Sequence, residues 1–325
     1  MTEVRIVVAL GGNALLRRGE KPDAALQIGH IRAAAEALAP LAAENELVIC
    51  HGNGPQVGML ALESESDTSL TRPYPLDVLV AQTQGMIGYW LVQELRNAGV
   101  TKPILSIVTQ TVVDAEDPAF ARPTKFVGPV YDQPQARLLA ELHGWDIAPD
   151  GGRWRRVVSS PHPQRVLEQG TITHLLRQQS VIICGGGGGV PVAEDDAGRI
   201  HGVEAVVDKD FTAALIAIKV NADRLLVLTD VPGVMEHFAT PQAMLRRRIN
   251  VDDMSRISVP DGSMGPKLTA CARFVIATGR KAAIGSLSQA AAVLNGSAGT
   301  TIAEHRLGQV DARSRNGGRR ASVDG

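Results

Sequence analysis

Val4-Arg5-Ile6-Val7-Val8-Ala9-Leu10, followed at once by Gly11-Gly12-Asn13, opens the ordered pattern of this chain. An apolar run this short, rich in β-branched residues, reads as a strand buried on both faces. It ends on residues that permit a sharp turn. The junction recurs. Residues 46–50 run into His51-Gly52-Asn53-Gly54-Pro55, residues 180–184 into Gly185 to Gly189, and residues 282–284 into Gly285-Ser286. Residues 104–109 and 224–229 are further apolar runs. Between several of them lie stretches rich in Ala, Leu, Glu and Arg, and residues 27–43, 79–97, 164–178, 211–221 and 267–278 read as helices. Alternating strand and helix predicts an α/β fold, an open three-layer αβα sandwich with a mainly parallel central sheet.

Residues 114–160 break the alternation. They are rich in Pro and Gly, and Asp150-Gly151-Gly152 joins two strand-like runs, Trp145-Asp146-Ile147-Ala148 and Arg153 to Val158, as a β-hairpin would. We read this stretch as a small inserted lid subdomain projecting from a main body of residues 1–113 and 161–305. Residues 306–325 hold five Arg, four Gly and few apolar side chains. They are expected to form a disordered tail.

The formal net charge of −1 gives no electrostatic case for a nucleic-acid or anionic-membrane partner. No apolar run reaches the roughly 20 residues needed to span a bilayer. The first residues lack the basic region, long apolar stretch and cleavage site of a signal peptide. Cys50, Cys184 and Cys271 are odd in number, far apart, and not at metal-ligand spacing. A reducing, cytoplasmic setting is the expectation.

Glycines placed after several strands of a parallel sheet gather at its carboxyl edge, where ligands bind. There they let backbone N–H groups approach phosphate, and the following helix N-termini favour anions. Tight strand-to-helix turns explain one such loop but poorly explain five glycines in a row.

Lysine adds a second signal. Of 33 basic residues only seven are Lys. Lys209, in Asp208-Lys209-Asp210, and Lys267, in Ser263-Met264-Gly265-Pro266-Lys267, each fall in the first turn of an expected helix. A cation there opposes the helix dipole by about 0.3–1 kcal/mol, and a bound phosphate would reverse that sign. Asp208 and Ser263 read as caps. Lys125 lies in the inserted stretch, either as a plain loop residue or as a cation that a closing lid brings in.

Other chemistries are demoted. Gly52-Asn53-Gly54 imitates a dinucleotide fingerprint, but its third glycine comes late, and no GxxxxGK[ST] loop is present. Cys50 and His51, as strand neighbours, point to opposite faces and read as a core thiol and a loop side chain rather than a dyad. Cys184 also reads as a core thiol.

Ala9 to Leu15, His51 to Gly58, Gln84 to Trp90, Gly186 to Val192, Gly202 to Asp210 and Ser263 to Lys267, in that order along the chain, resemble the carbamate kinases. The first glycine loop resembles the wider amino-acid kinase group. The resemblance implies the amino-acid kinase fold, a homodimer, and reversible phosphoryl transfer between ATP and carbamate giving ADP and carbamoyl phosphate, with Mg²⁺ held mainly by the nucleotide. Carried over by motif, Lys209 and Lys267 stabilise the moving phosphoryl group, Asp210 organises them, and Lys125 is the lid lysine. Gly11, Gly12, Asn13, Gly52, Asn53 and Gly54 line the carbamate and phosphoryl end. Gly187, Gly188, Thr229, Asp230 and Met264 lie by the nucleotide. The tail is longer than the pattern, and Ser159-Ser160-Pro161-His162-Pro163 varies a Pro-Ser-Pro element. Carbamate is already an anionic nucleophile and needs no strong base. Its phosphorylation is uphill from ATP, so net ATP synthesis in catabolism is expected. Two rivals remain at this point: an amino-acid kinase acting on a larger acid or a nucleoside monophosphate, and a regulator that binds nucleotide without turnover.

Overall fold

The computed structural model describes residues 3–17, 19–238, 240–256 and 264–304. Ser263 and the tail at 306–325 lie outside the described residues. Along the chain come β1 (Arg5–Leu10), α1 (Ala24–Glu44), β2 (Glu46–His51), α2 (Gly54–Ser66), α3 (Leu76–Asn97), β3 (Ile104–Ser106) and β4 (Gln110–Val113). Next are β5 (Lys125–Tyr131), α4 (Gln133–His143), β6 (Asp146–Asp150), β7 (Arg153–Val158), β8 (Pro163–Val166), α5 (Gln169–Arg177), β9 (Val181–Ile183), β10 (Val190–Glu194) and β11 (Ile200–Gly202). The last part holds α6 (Lys209–Lys219), β12 (Arg224–Thr229), β13 (Met235–Glu236), β14 (Met244–Leu245), β15 (Arg248–Asn250), α7 (Met264–Thr278), β16 (Lys281–Ser286), α8 (Ala290–Asn295) and β17 (Thr300–Ala303).

The central sheet has the order β15-β17-β16-β12-β1-β2-β9-β3. From β3 to β16 every pairing is parallel; β17 runs antiparallel to β16, with β15 parallel to β17 at the edge. Side-chain alternation divides the strands between two cores. Val7, Ala9, Val48, Cys50, Leu225 and Val227 face α5, α6 and α7. Ile6, Val8, Leu10, Leu47, Ile49 and Leu226 face α1, α3 and α8. The expected αβα sandwich is therefore present, and both faces are dry. Because β1 pairs with β2 on one side and β12 on the other, a crevice opens beyond its carboxyl end, the place where such sheets bind ligands.

Besides a two-stranded β13-β14 ribbon, two smaller sheets lie outside this frame. One is β11-β10-β4-β8 and the other β5-β7-β6. The expected hairpin is β6–β7, closed by Gly151 and Gly152, both with positive φ. A third core of Val57, Leu79, Val80, Val112, Val127, Val158 and Val192 joins α2 and α3 to both small sheets.

The expected helix at 164–178 is shortened by a strand. Pro163–Val166 is β8, because Thr111 and Val112 of β4 pair with Val166 and Arg165, and the Glu168 carboxylate then accepts the Gln110 N–H at 2.9 Å. α4 is a helix that the sequence analysis of the inserted stretch does not predict. Its signals were nevertheless local: Asp132 caps it by accepting from Gln135 N–H at 2.9 Å, Pro134 stands in the first turn, and Gly144 ends it in the left-handed region.

The β5-β7-β6 sheet meets α2 backbone against backbone. A Cβ on Gly58 would lie 1.9 Å from Gly128 Cα and 2.2 Å from its nitrogen, and Gly128 has φ +71°. Neither partner can rotate out of the way. Gly58→Ala is expected to lower unfolding stability by about 1–3 kcal/mol, as forced overpacking does. Urea unfolding of the variant beside the parent chain measures it.

Candidate active site

α6 and α7 pack side by side, and their first turns meet beneath the crevice. Lys209 is the first residue of α6 and Lys267 the fourth of α7; both side chains are buried. Asp210 lies between them. Its Oδ1 accepts from Lys209 Nζ at 2.5 Å and its Oδ2 from Lys267 Nζ at 3.2 Å. One carboxylate thus joins two ammonium groups whose residues, Lys209 and Lys267, are far apart in sequence. Burial pulls the Lys209 ammonium below its ordinary pKa; Asp210 opposes that fall, and the neighbouring Lys267 charge adds to it.

Asp208 closes the α6 start. Its Oδ1 accepts the Asp210 N–H at 2.9 Å, the cap foreseen from sequence. Its Oδ2 accepts from Lys125 Nζ at 2.5 Å, across 83 residues. Burial alone would raise the Asp208 carboxyl, but the charges of Lys125 and Lys209 hold it down to about 2. Among the described residues, three ammonium groups meet two carboxylates here. Such a cluster favours a bound anion.

The glycine corners close over these charges. A Cβ on Gly52 would stand 3.0 Å from Gly12 N and Cα, and 3.5 Å from Lys209 Cε. Gly11 N–H donates to Leu228 O at 2.8 Å, and Gly52 N–H to Leu10 O at 3.1 Å, which locks both corners onto the sheet edge. α2 starts at Gly54 with Pro55 in its first turn, and Asn53, its N-cap, makes no side-chain cap bond. That leaves a helix start facing the crevice without a side-chain acceptor, a ready anion site beside Lys209. Asn13 follows Gly12 in a short 3₁₀ turn.

The five-glycine loop is held by a dense set of hydrogen bonds. Gly185 N–H donates to Thr109 Oγ1 at 2.8 Å, Gly188 N–H to Gly185 O and Gly189 N–H to Gly186 O, both at 3.0 Å. Three of its five donors are spent internally. Its glycines are required by conformation and crowding: Gly185, Gly187, Gly188 and Gly189 all have positive φ, and a Cβ on Gly187 would lie 2.0 Å from Asn53 Nδ2. Gly188 O accepts from Thr111 and Thr212 hydroxyls at 2.7 and 2.8 Å. Gln84 on α3 clasps Thr109 through its amide, donating to Thr109 O at 3.1 Å and accepting Thr109 N–H at 3.0 Å. So Gly187 and Gly188 stand against Asn53 and Val207, on the β2 side of the crevice.

Thr229 ends β12 on the opposite side, next to Gly11, and donates its hydroxyl to Asp230 Oδ1 at 2.9 Å. Met264 is the first residue of α7 and packs partly buried against the core. Gly285 does not join the crevice. A Cβ there would strike Val293 at 2.4 Å, so this glycine admits α8.

Gln84, from the Gln84–Trp90 motif, and Thr109, Thr111 and Thr212, not singled out from sequence, prop the glycine loop. Asp208 was read only as a cap. Cys50, on β2, and Cys184, just past the end of β9, are buried core thiols, and their mutual hydrogen bond, with burial, raises the Cys184 thiol well above its usual range. Among the described residues no group of three or more His, Cys, Asp or Glu could hold a metal ion, and no helix is long and apolar enough to cross a membrane.

Comparison with known proteins identifies the family. The amino acid kinase family profile matches residues 4–286. The chain is similar to the carbamate kinase of Rhizobium meliloti strain 1021, with 48% identity over 302 residues, 92% of this chain and 93% of the relative. It is similar to the carbamate kinase of Escherichia coli K12, at 48% over 297 residues, 91% and 98% of the two chains. Among solved structures it matches the carbamate kinase from Giardia lamblia bound to AMP-PNP, with TM-score 0.83, 36% identity and coverage of 93% and 99%.

His51, fully buried under the loop, keeps its Nδ1 on Gly52 O at 3.0 Å. Burial lowers its pKa from 6.5 to about 4, with the Lys209 charge contributing and the Gly52 bond opposing. The unfolded chain therefore takes up this proton first. Stability from the neutral ring is complete above about pH 6.5 and is lost as pH falls toward 4. His51→Asn, whose amide nitrogen can replace Nδ1 as the donor, is expected to shrink the stability difference between pH 7 and pH 5 by about 2 kcal/mol. Urea titrations at the two pH values read this directly.

Proposed function

The chain belongs to the amino acid kinase family and is a phosphotransferase of the carbamate kinase type, and on that premise we propose that this crevice carries the reversible transfer of a phosphoryl group between ATP and carbamate, giving ADP and carbamoyl phosphate. The observation that carries the reading is Asp210 holding Lys209 and Lys267 together under the glycine corners. Phosphoryl transfer needs positioning and charge stabilisation above all. Lys209 and Lys267 neutralise the equatorial oxygens of the moving group, and Asp210 fixes their separation. Gly11, Gly12, Asn13, Gly52, Asn53 and Gly54 line the acceptor end, where the open start of α2 receives the carbamate or its phosphate.

We assign Gly187 and Gly188 to that same end, because they touch Asn53 and Val207. The nucleotide then lies toward Thr229, Asp230 and Met264, across β1. The AMP-PNP held by the Giardia relative supports an ATP site on this fold.

Carbamate brings its own negative charge as nucleophile, so no strong base is called for. His51 suits that chemistry: it is neutral at physiological pH and its Nδ1 is committed to a backbone carbonyl. Mg²⁺ carried in with the nucleotide would supply further charge neutralisation. The donor set fits a metal held chiefly by the phosphates, since Asp208 and Asp210 are both engaged by lysines.

Lys125 comes from the β5-β7-β6 sheet, and we read residues 114–160 as a lid that delivers it. The mixed carboxylic–phosphoric anhydride of carbamoyl phosphate favours transfer to ADP, so the net direction is ATP synthesis in catabolism. Three free, buried cysteines suit a cytoplasmic setting, and a homodimer, testable by light scattering, completes the reading.

Supplying ADP, Mg²⁺ and carbamoyl phosphate is expected to yield ATP in a coupled assay. Failure there, with turnover of acetylglutamate or UMP instead, would overturn the substrate. Lys209→Ala and Lys267→Ala should each slow turnover by roughly 10²–10³-fold, the loss typical of one preorganised charge-stabilising donor. Undiminished rates in both would remove the site.

A further inference from the structure

We propose that Asp208 is a positioning residue for Lys125: its carboxylate moors that ammonium at the mouth of the site. The proposal rests on the reading of Lys125 given above and goes one residue beyond it.

Asp208 does more than capping requires. The cap uses one oxygen, Oδ1, on the Asp210 N–H at 2.9 Å. Asn or Ser supplies that acceptor equally well. The second oxygen and the negative charge are spent on Lys125, at 2.5 Å. The pair is also asymmetric. The Asp208 side chain is 9% exposed and fixed by its cap bond, whereas that of Lys125 is 38% exposed on a flexible stem. A rigid post therefore holds a movable cation. Lys125 opens β5, paired with Val158, so this one bond ties the small sheet to the first turn of α6, where Lys209 stands. An ammonium has three N–H groups. One on Asp208 leaves two to direct at a phosphoryl oxygen. Without the post, the long side chain must be ordered at every turnover, at the expense of its rotamer freedom.

Overall charge predicts the opposite outcome. Removing the Asp208 charge makes the cluster more positive, which by itself would tighten the binding of anions. A loss of kcat/KM in the neutral variant therefore reports positioning.

The test compares the parent chain, Lys125→Ala, Asp208→Asn and the double variant in ATP formation from ADP, Mg²⁺ and carbamoyl phosphate, with a thermal melt of each. Lys125→Ala is expected to lower kcat/KM by about 10²-fold. Asp208→Asn should lower it by about tenfold, the scale of one hydrogen bond to a charged group, while melting close to the parent because Asn still caps α6. The double variant should be no slower than Lys125→Ala. Asp208→Ser, a second capping residue without the charge, should reproduce the Asn result and replaces it if Asn misfolds. Parent-like activity in Asp208→Asn, beside a slow Lys125→Ala, defeats the mooring and leaves the Lys125 reading intact. Losses that multiply in the double variant defeat it too. Parent-like activity in Lys125→Ala removes the reading of Lys125 and the mooring with it.

Discussion

Two buried ammonium groups repel one another, and Asp210 is what allows Lys209 and Lys267 to share a cleft. Each ion taken from water costs several kcal/mol even after the protein relaxes. A carboxylate with one oxygen for each cation recovers much of that cost and fixes the distance between them. Breaking such a buried set by deleting one partner typically costs 3–5 kcal/mol, so the helix starts are tied together as firmly as by a patch of core. The geometry depends on packing in turn. Asp210 can reach Lys267 only because α6 and α7 lie side by side on one face of the sheet, seated by Ala213, Ala217, Leu268 and Cys271. The small side chains at Ala213 and Ala217 leave room for that approach.

Arginine would fit less well than lysine at position 209. Lys209 Cε passes under Gly52, so close that a Cβ there would sit 3.5 Å from it. Gly12 presses on Gly52 from the other side. A planar guanidinium needs a wider slot and spreads its donors in a fixed fork. A compact ammonium can bond Asp210 and still turn an N–H toward a third group. That gives a physical reason for lysine to persist here in a chain that writes most of its positive charges as Arg.

Much of the fold could be read from the order of residues. β12 was bounded to the residue, and β1, β2, α1 and α3 within three residues at either end. Their apolar runs are long, local and sharply ended by glycine or polar residues, so the signal does not depend on distant partners. The β11-β10-β4-β8 sheet was not foreseen, because strands of three to five residues are defined by whom they pair with. β8 went wrong for that reason: Arg165 and Val166 become strand only beside Val112 and Thr111. α4 is a different kind of miss. Asp132, Pro134 and Gly144 mark its two ends, within a Pro- and Gly-rich stretch whose only predicted element is the hairpin.

The candidate site was legible as an inventory more than as an arrangement. Lys209, Asp210 and Lys267 could be picked out, since cations in helix first turns call for an anion. That Asp210 bridges both lysines, and that Asp208 reaches Lys125 across 83 residues, is set by tertiary packing that no local pattern encodes. The glycine run shows the limit most clearly. From sequence, five glycines suggest a cradle of free N–H donors. In the fold, Gly185, Gly188 and Gly189 give their N–H groups to Thr109 and to the loop itself, and Gly187 is glycine because Asn53 occupies the space beside it. The loop packs against Asn53, the N-cap of α2. A run of glycines can thus be demanded by backbone conformation and crowding, a requirement that only packing distances reveal.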